Sequence, residues 1–141
     1  MEKLKDKSPS QEIEKIEKIA QENFSRWNKS LLTKDPAKVA ELYAKGATFL
    51  PTVSGEFKNG PSGAKTYFSH FLEKNPSGKI IQEKIQNLGS GCYLHCGMYN
   101  FEIGPDDQRQ IVEARFTFLW QQDEKGEWKI AHHHSSIKPK E

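Results

Sequence analysis

The run His132, His133, His134, Ser135 and Ser136 brings three imidazoles and two hydroxyls together in one short segment. Imidazole can accept or donate a proton near neutral pH or ligate a metal, and a hydroxyl can orient water. The segment 128–137 reads as a strand, so alternation sends His132, His134 and Ser136 to one face and His133 and Ser135 to the other. Both faces therefore receive imidazole. Two histidines on one face could hold zinc, but a catalytic zinc site takes three protein ligands in a compact set. The remaining donors, Cys92, His95 and Cys96, match no standard zinc spacing. A strand with one packed and one wet face accounts for the same run without chemistry.

Arg115 stands in a strand-like segment otherwise given to aromatic packing, with Phe116 and Phe118 beside it. It either pairs with an acid across the sheet or lines a cavity where its guanidinium holds an anion. Thr52 and Tyr67 add hydroxyls, although a strand threonine and a helix tyrosine usually serve packing. The chain has no glycine-rich phosphate loop, nucleophile elbow or dinucleotide fingerprint, which disfavours kinase, acyl-transfer and nicotinamide chemistry.

Something must hold these groups in place. Ile13, Ile16, Ala20, Phe24, Trp27 and Leu31 recur at helical spacing after Ser8 and Pro9, a cap-then-proline start, and predict a long amphipathic helix over 8–33. Asp35 and Pro36 repeat that signal and open a short helix carrying Val39, Leu42 and Tyr43, which Gly46 ends. Residues 47–53 read as a strand whose Pro51 suggests an edge or a bulge. Residues 63–74 read as a third helix, stopped by Asn75, Pro76 and Gly78. Strands over 79–87, 92–103, 111–122 and 128–137 follow, with turns at Gly89, Gly91, Pro105 and Gly126. Short connections make these an antiparallel meander, and the long helix covers one of its faces. The predicted class is α+β, with a cavity where the curved sheet opens.

Bulk properties narrow the functions. A chain of 141 residues is one ordinary domain, 1–141, with 1–8 expected to be a flexible N-terminus. The net charge of +2 provides no cationic surplus for a phosphate backbone, so nucleic acid is excluded as an expected partner. The charged start, with no apolar run after it, argues against a membrane span and for a cytoplasmic protein. Cys92 and Cys96 share a strand face too far apart to bridge, which fits free thiols in a reducing compartment.

Four pieces occur in a recognisable order: Leu50-Pro51-Thr52-Val53-Ser54, then Tyr67-Phe68 with Phe71-Leu72, then Ala114-Arg115-Phe116-Thr117-Phe118, then Trp128 through the three histidines to Ser136. Over about residues 10–139 the chain resembles the iota-class carbonic anhydrases, relatives of the calcium/calmodulin-dependent protein kinase II association domain in the nuclear transport factor 2-like superfamily. The resemblance implies a cone-shaped fold, homodimerisation through the sheet, and reversible hydration of carbon dioxide to bicarbonate with neither metal nor other cofactor. It carries the catalytic hydroxyls onto Thr52, Tyr67 and Ser135. Arg115 and His133 match positions in or beside the same cavity and are expected with His134 to bind substrate; because a hydroxyl is a poor base at neutral pH, His133 or His134 is the natural proton shuttle. The kinase association domains have an arginine where this chain has Ser135 and another near Gly97, so the resemblance favours the anhydrase branch.

Two other readings stand beside it. The same fold commonly provides a non-catalytic oligomerisation or small-ligand module. An isomerase or cyclase like the ketosteroid isomerases needs a pocket acid or base, and Pro51 and Thr52 occupy the place where such a chain presents an aspartate. A homodimer is expected on separate grounds, because the aromatic face of Phe116, Phe118 and Trp120 is larger than one helix should cover.

Overall fold

The computed structural model describes residues 9–141. Ser8 and the stretch 1–8 lie outside the described residues. The first helix, α1 (Pro9–Leu32), turns Ile16, Ala20, Asn23, Phe24, Trp27 and Leu31 inward. That stripe follows the 3.6-residue period and is wide enough to back a curved sheet. Asn28 fastens the helix to the sheet as a peptide would. Its Nδ2 donates to the Gly78 carbonyl at 2.9 Å and its Oδ1 accepts from the Gly78 N–H at 2.8 Å.

Asp35 caps α2 (Pro36–Ala40) by accepting the Ala37 N–H, as the cap-then-proline signal predicts. The helix ends earlier than expected, and Tyr43 opens strand β1 (Tyr43–Leu50) instead of closing a helical turn. Tertiary pairing overrides local propensity here: the Ile130 N–H donates to the Leu42 carbonyl at 2.7 Å, and Tyr43 pairs with Ile130. Gly46 lies within β1, where the register shifts between Tyr43 and Thr48. Pro51 directly follows the strand, since it has no N–H to extend the ladder.

A two-residue strand, β2 (Lys58–Asn59), leads into α3 (Gly60–Phe71), which starts three residues before the expected 63 and runs on as a 3-10 turn (Leu72–Lys74). Asn75 then breaks it in the left-handed conformation. The remaining strands are β3 (Ser77–Asn87), β4 (Cys92–Ile103), β5 (Gln110–Gln122) and β6 (Trp128–Ile137). They form the expected antiparallel meander in one six-stranded sheet of order β2-β1-β6-β5-β4-β3, with β1 parallel to β6.

Phe116, Phe118 and Trp120 face α1 and are buried within the single chain. Phe24 and Trp27 cover Phe116 and Phe118, with Trp27 and Phe118 ring centroids 5.3 Å apart, and Arg26 of the same helix lies over the Trp120 ring. The aromatic face is thus satisfied by one helix, which removes that argument for a dimer. The opposite face of the meander carries Leu94, Cys96, Met98 and Leu119, all half-buried, and both cysteines are free. Among the described residues, no helix is long and apolar enough to cross a membrane.

Candidate functional site

Strand register explains how residues far apart in sequence meet. On the inner face His95, Phe118 and His133 form one row, and Gly97, Phe116 and Ser135 form the next. Parallel pairing sets Leu50 beside His134, so the chain leaving β1 delivers Thr52 next to Ser135. Their hydroxyls hydrogen-bond to each other, and both residues are buried. Tyr99, on β4, reaches over the small Ala114 and donates to Ser135 Oγ at 2.6 Å. Its oxygen also lies 3.2 Å from His133 Nε2. On the other side of that ring, Tyr43 Oη is 2.9 Å from Nδ1 and accepts the Trp27 Nε1–H at 3.2 Å.

These contacts give the hydrogen-bond chain a direction from its Tyr99 end. Tyr43 accepts the indole N–H and keeps its own proton free to give to His133 Nδ1. Tyr99 gives its proton to Ser135 and so accepts from His133. Nε2 then carries a proton, and in the neutral ring Nδ1 accepts from Tyr43. Its surroundings agree: the ring is stacked between Phe118 at 4.0 Å and Phe49 at 4.9 Å. Burial, reinforced by the nearby His132 and His134, holds its pKa well below the ordinary imidazole value. Burial likewise raises the Tyr43 and Tyr99 phenols, against the lowering effect of their hydrogen-bond partners, so both remain protonated donors at neutral pH.

Tyr67 arrives from α3. Its hydroxyl donates to the Thr52 carbonyl at 2.9 Å rather than to the Thr52 hydroxyl. Burial first, then the neighbouring Tyr99, raises its pKa. The link is to a strained residue pair, because Val53, directly after Thr52, has φ +55°. A β-branched side chain rarely takes that conformation.

Thr52, Tyr67, Tyr99, His133 and Ser135 all line one inner cavity of about 10 Å³, closed elsewhere by aromatic rings. That is room for one water. Thr52, Phe71 and Phe101 are also walls of a second cavity of about 110 Å³, otherwise formed by Val53, Lys74, Ile103 and Val112. A small, mainly aromatic cavity bordered by the hydroxyl cluster thus adjoins a larger apolar chamber. Tyr67 and Phe71 stand between the first cavity and an outer groove of about 270 Å³ that contains His70 and Lys58, and Val53, Phe71 and Lys74 stand between that groove and the second cavity.

Two of the six residues expected at the site lie elsewhere. Arg115 is exposed on the outer face between Met98 and Ser136, because alternation along β5 sends Ala114 and Phe116 inward. His134 is exposed on that same face, its ring 6.5 Å from that of His132, and lines a shallow groove of about 470 Å³ along the edge of Ser135. His132 in turn contacts Thr48 Oγ1 at 2.6 Å through Nδ1. Among the described residues, no three His, Cys, Asp or Glu side chains group as a metal site would require.

Tyr99 and Tyr43 are members that sequence reasoning missed. Tyr99 alternates with Phe101 and looks like ordinary core, and Tyr43 falls in the stretch read as helix. The available signal was their position in strands facing the histidine run. Gly97 also matters. A Cβ there would stand 1.9 Å from the Gln82 carbonyl oxygen, so the inner face has no side chain at this point and no place for the arginine found in kinase association domains.

The model of the calcium/calmodulin-dependent protein kinase II association domain family matches residues 14–139, nearly the whole chain. The chain belongs to this family. A Xanthomonas campestris structure assigned to the same association-domain family is 32% identical, with a TM-score of 0.80 over 95% of this chain and 91% of that one. A Salmonella enterica protein of the nuclear transport factor 2-like superfamily is 18% identical, with a TM-score of 0.75 over 91% and 94% of the two chains. A nuclear transport factor 2-like protein with a cystatin-like fold from Novosphingobium aromaticivorans is 7% identical, with a TM-score of 0.78 over 100% and 94%. The last two establish the fold alone: a nuclear transport factor 2-like, cystatin-like α+β fold. No curated protein matches this association-domain chain in sequence.

Proposed function

We propose that the protein catalyses reversible hydration of carbon dioxide to bicarbonate at the Thr52–Ser135–Tyr99 cluster, using no metal. The observation that carries this reading is a water-sized cavity, walled largely by aromatic rings but bordered by the hydroxyls of Thr52, Tyr99 and Ser135, that shares walls with a larger apolar chamber. Carbon dioxide has no dipole and partitions into the chamber of Phe71, Phe101, Ile103 and Val112. Water sits against the hydroxyls, which orient its oxygen toward the carbon. As the C–O bond forms, charge develops on the carbon dioxide oxygens, where hydroxyl donors stabilise it. The water gives up one proton as bicarbonate forms. His133 acts as a neutral orienting group, since burial opposes its holding that proton. Bicarbonate is the other partner of the site.

Stopped-flow hydration by wild type and Ser135→Ala, each with and without a chelator, tests the reading. The expected result is chelator-insensitive activity in wild type and at least about a hundredfold loss in Ser135→Ala. Activity removed by the chelator, or a fully active Ser135→Ala, overturns it.

A second reading, homo-oligomerisation, is favoured by the half-buried row of Leu94, Met98 and Leu119 on the outer face and by membership in a family of association domains. It does not compete for the inner cavity. Light scattering at micromolar concentration is expected to give the dimer mass, and Leu119→Glu to give the monomer.

A further inference from the structure

The proposed hydration releases one proton per turnover, and the inner cluster has no group suited to carrying it into solvent. His133 has a phenol at each ring nitrogen, and its burial opposes holding a second proton. His134 faces the outer side of the sheet. Ser135 also borders the outer-face groove that contains His134, while a route on the inner side of the sheet runs through Tyr67. This residue lines the inner cavity with its neighbours Thr52 and Ser135, and it also lines the outer groove. One helical turn further along α3, His70 is exposed in that groove. Residues three apart on a helix lie side by side, so the imidazole stands next to the phenol that walls off the cavity.

We propose that His70 is the proton-transfer residue of this site, an inference that rests on the hydration reading. The groups around it leave no better candidate. Glu56 and Lys58 from the β1–β2 connection and β2 form an ion pair, and Lys58 lowers the Glu56 carboxyl below its ordinary range, so that carboxylate is a weak acceptor. Lys74 flanks the groove from the 3-10 turn. An ammonium is already protonated at neutral pH and accepts nothing further, whereas imidazole as a side-chain type exchanges protons there. In the hydration direction, the water oxygen bonds to carbon and one carbon–oxygen π pair moves onto oxygen. The proton released passes through water at Tyr67 to a His70 ring nitrogen, forming imidazolium. Buffer then removes it and restores the neutral ring. Dehydration runs the same path in reverse.

Oxygen-18 exchange between carbon dioxide and water at equilibrium separates the two steps, since interconversion and release of labelled water are read independently. In weak buffer, His70→Ala is expected to slow release of labelled water at least about tenfold while interconversion stays within about twofold. Added imidazole restores release, a rescue that a purely structural defect would not show. His134→Ala is expected to match wild type in both readouts. An unchanged His70→Ala with wild-type interconversion intact, or the same defect appearing in His134→Ala instead, overturns this inference alone. Wild-type protein with no interconversion at all overturns the hydration reading and this inference together.

Discussion

The Tyr99 phenol donates to Ser135 Oγ over 2.6 Å, joining β4 to β6 across the top of Ala114 on β5. The bond ties a residue with every appearance of core packing to the hydroxyl pair of the candidate site. It also settles the tautomer of His133, because a phenol has one proton to give.

Removing that phenol therefore has two effects. Tyr99→Phe leaves the His133 Nε2–H without an acceptor and Ser135 without a donor. Unfolding in urea is expected to show a loss of about 1–3 kcal/mol, the cost of orphaning a buried polar group. Hydration activity falls with it. A variant as stable as wild type would show that Tyr99 matters only for packing.

Tyr67 and Ser135 should respond unequally to loss of their hydroxyls. Tyr67 bonds the Thr52 carbonyl and acts on the cluster through the backbone, while Ser135 contacts both Thr52 and Tyr99 directly. Tyr67→Phe is expected to lower kcat/KM less than Ser135→Ala does, by about tenfold or more between the two. Equal losses would mean that the phenol itself reaches the reacting water.

His133 makes stability depend on acid. Its pKa is lowered on folding, so below the unfolded value of about 6.5 the unfolded chain binds a proton that the native chain refuses. Stability is then complete above that value and falls as pH drops, by up to about 1.4 kcal/mol per pH unit for this group. His95 and His132, lowered chiefly by desolvation, push in the same direction. Denaturation midpoints at neutral pH and near pH 5 should show a shallower decline for His133→Gln than for wild type. The same slope in both would place the acid sensitivity elsewhere.

Val53 and Gly97 test the backbone. Val53→Gly relieves a left-handed conformation at a β-branched residue and should raise stability, by up to about 1 kcal/mol after the added chain entropy of glycine is offset. Gly97→Ala drives a Cβ into the backbone of β3 and should cost more than about 3 kcal/mol or prevent folding. Thermal denaturation of the purified variants reads both, and opposite signs are expected.

Periodicity alone was enough to read α1, the four late strands and their antiparallel order, because one long amphipathic stripe and regular alternation admit few arrangements. The strand β6 has the bounds expected of it, and alternation within it correctly separated His133 and Ser135 from His132 and His134. Tyr43 was not legible in this way. Its local context favours a helical turn, and only the pairing of Leu42 and Tyr43 with Ile130, distant in the chain, makes it strand. Arg115 was misplaced for a related reason: its side of β5 depends on which neighbours pack against α1. The meeting of Thr52 with Ser135 depends on the parallel register of β1 and β6 across 83 positions, and that of Tyr99 with both on the small side chain of Ala114. Residue types and local periods lie in the sequence itself, whereas the proton positions, the depressed basicity of His133 and the size of the cavity arise only when distant strands pack and exclude water.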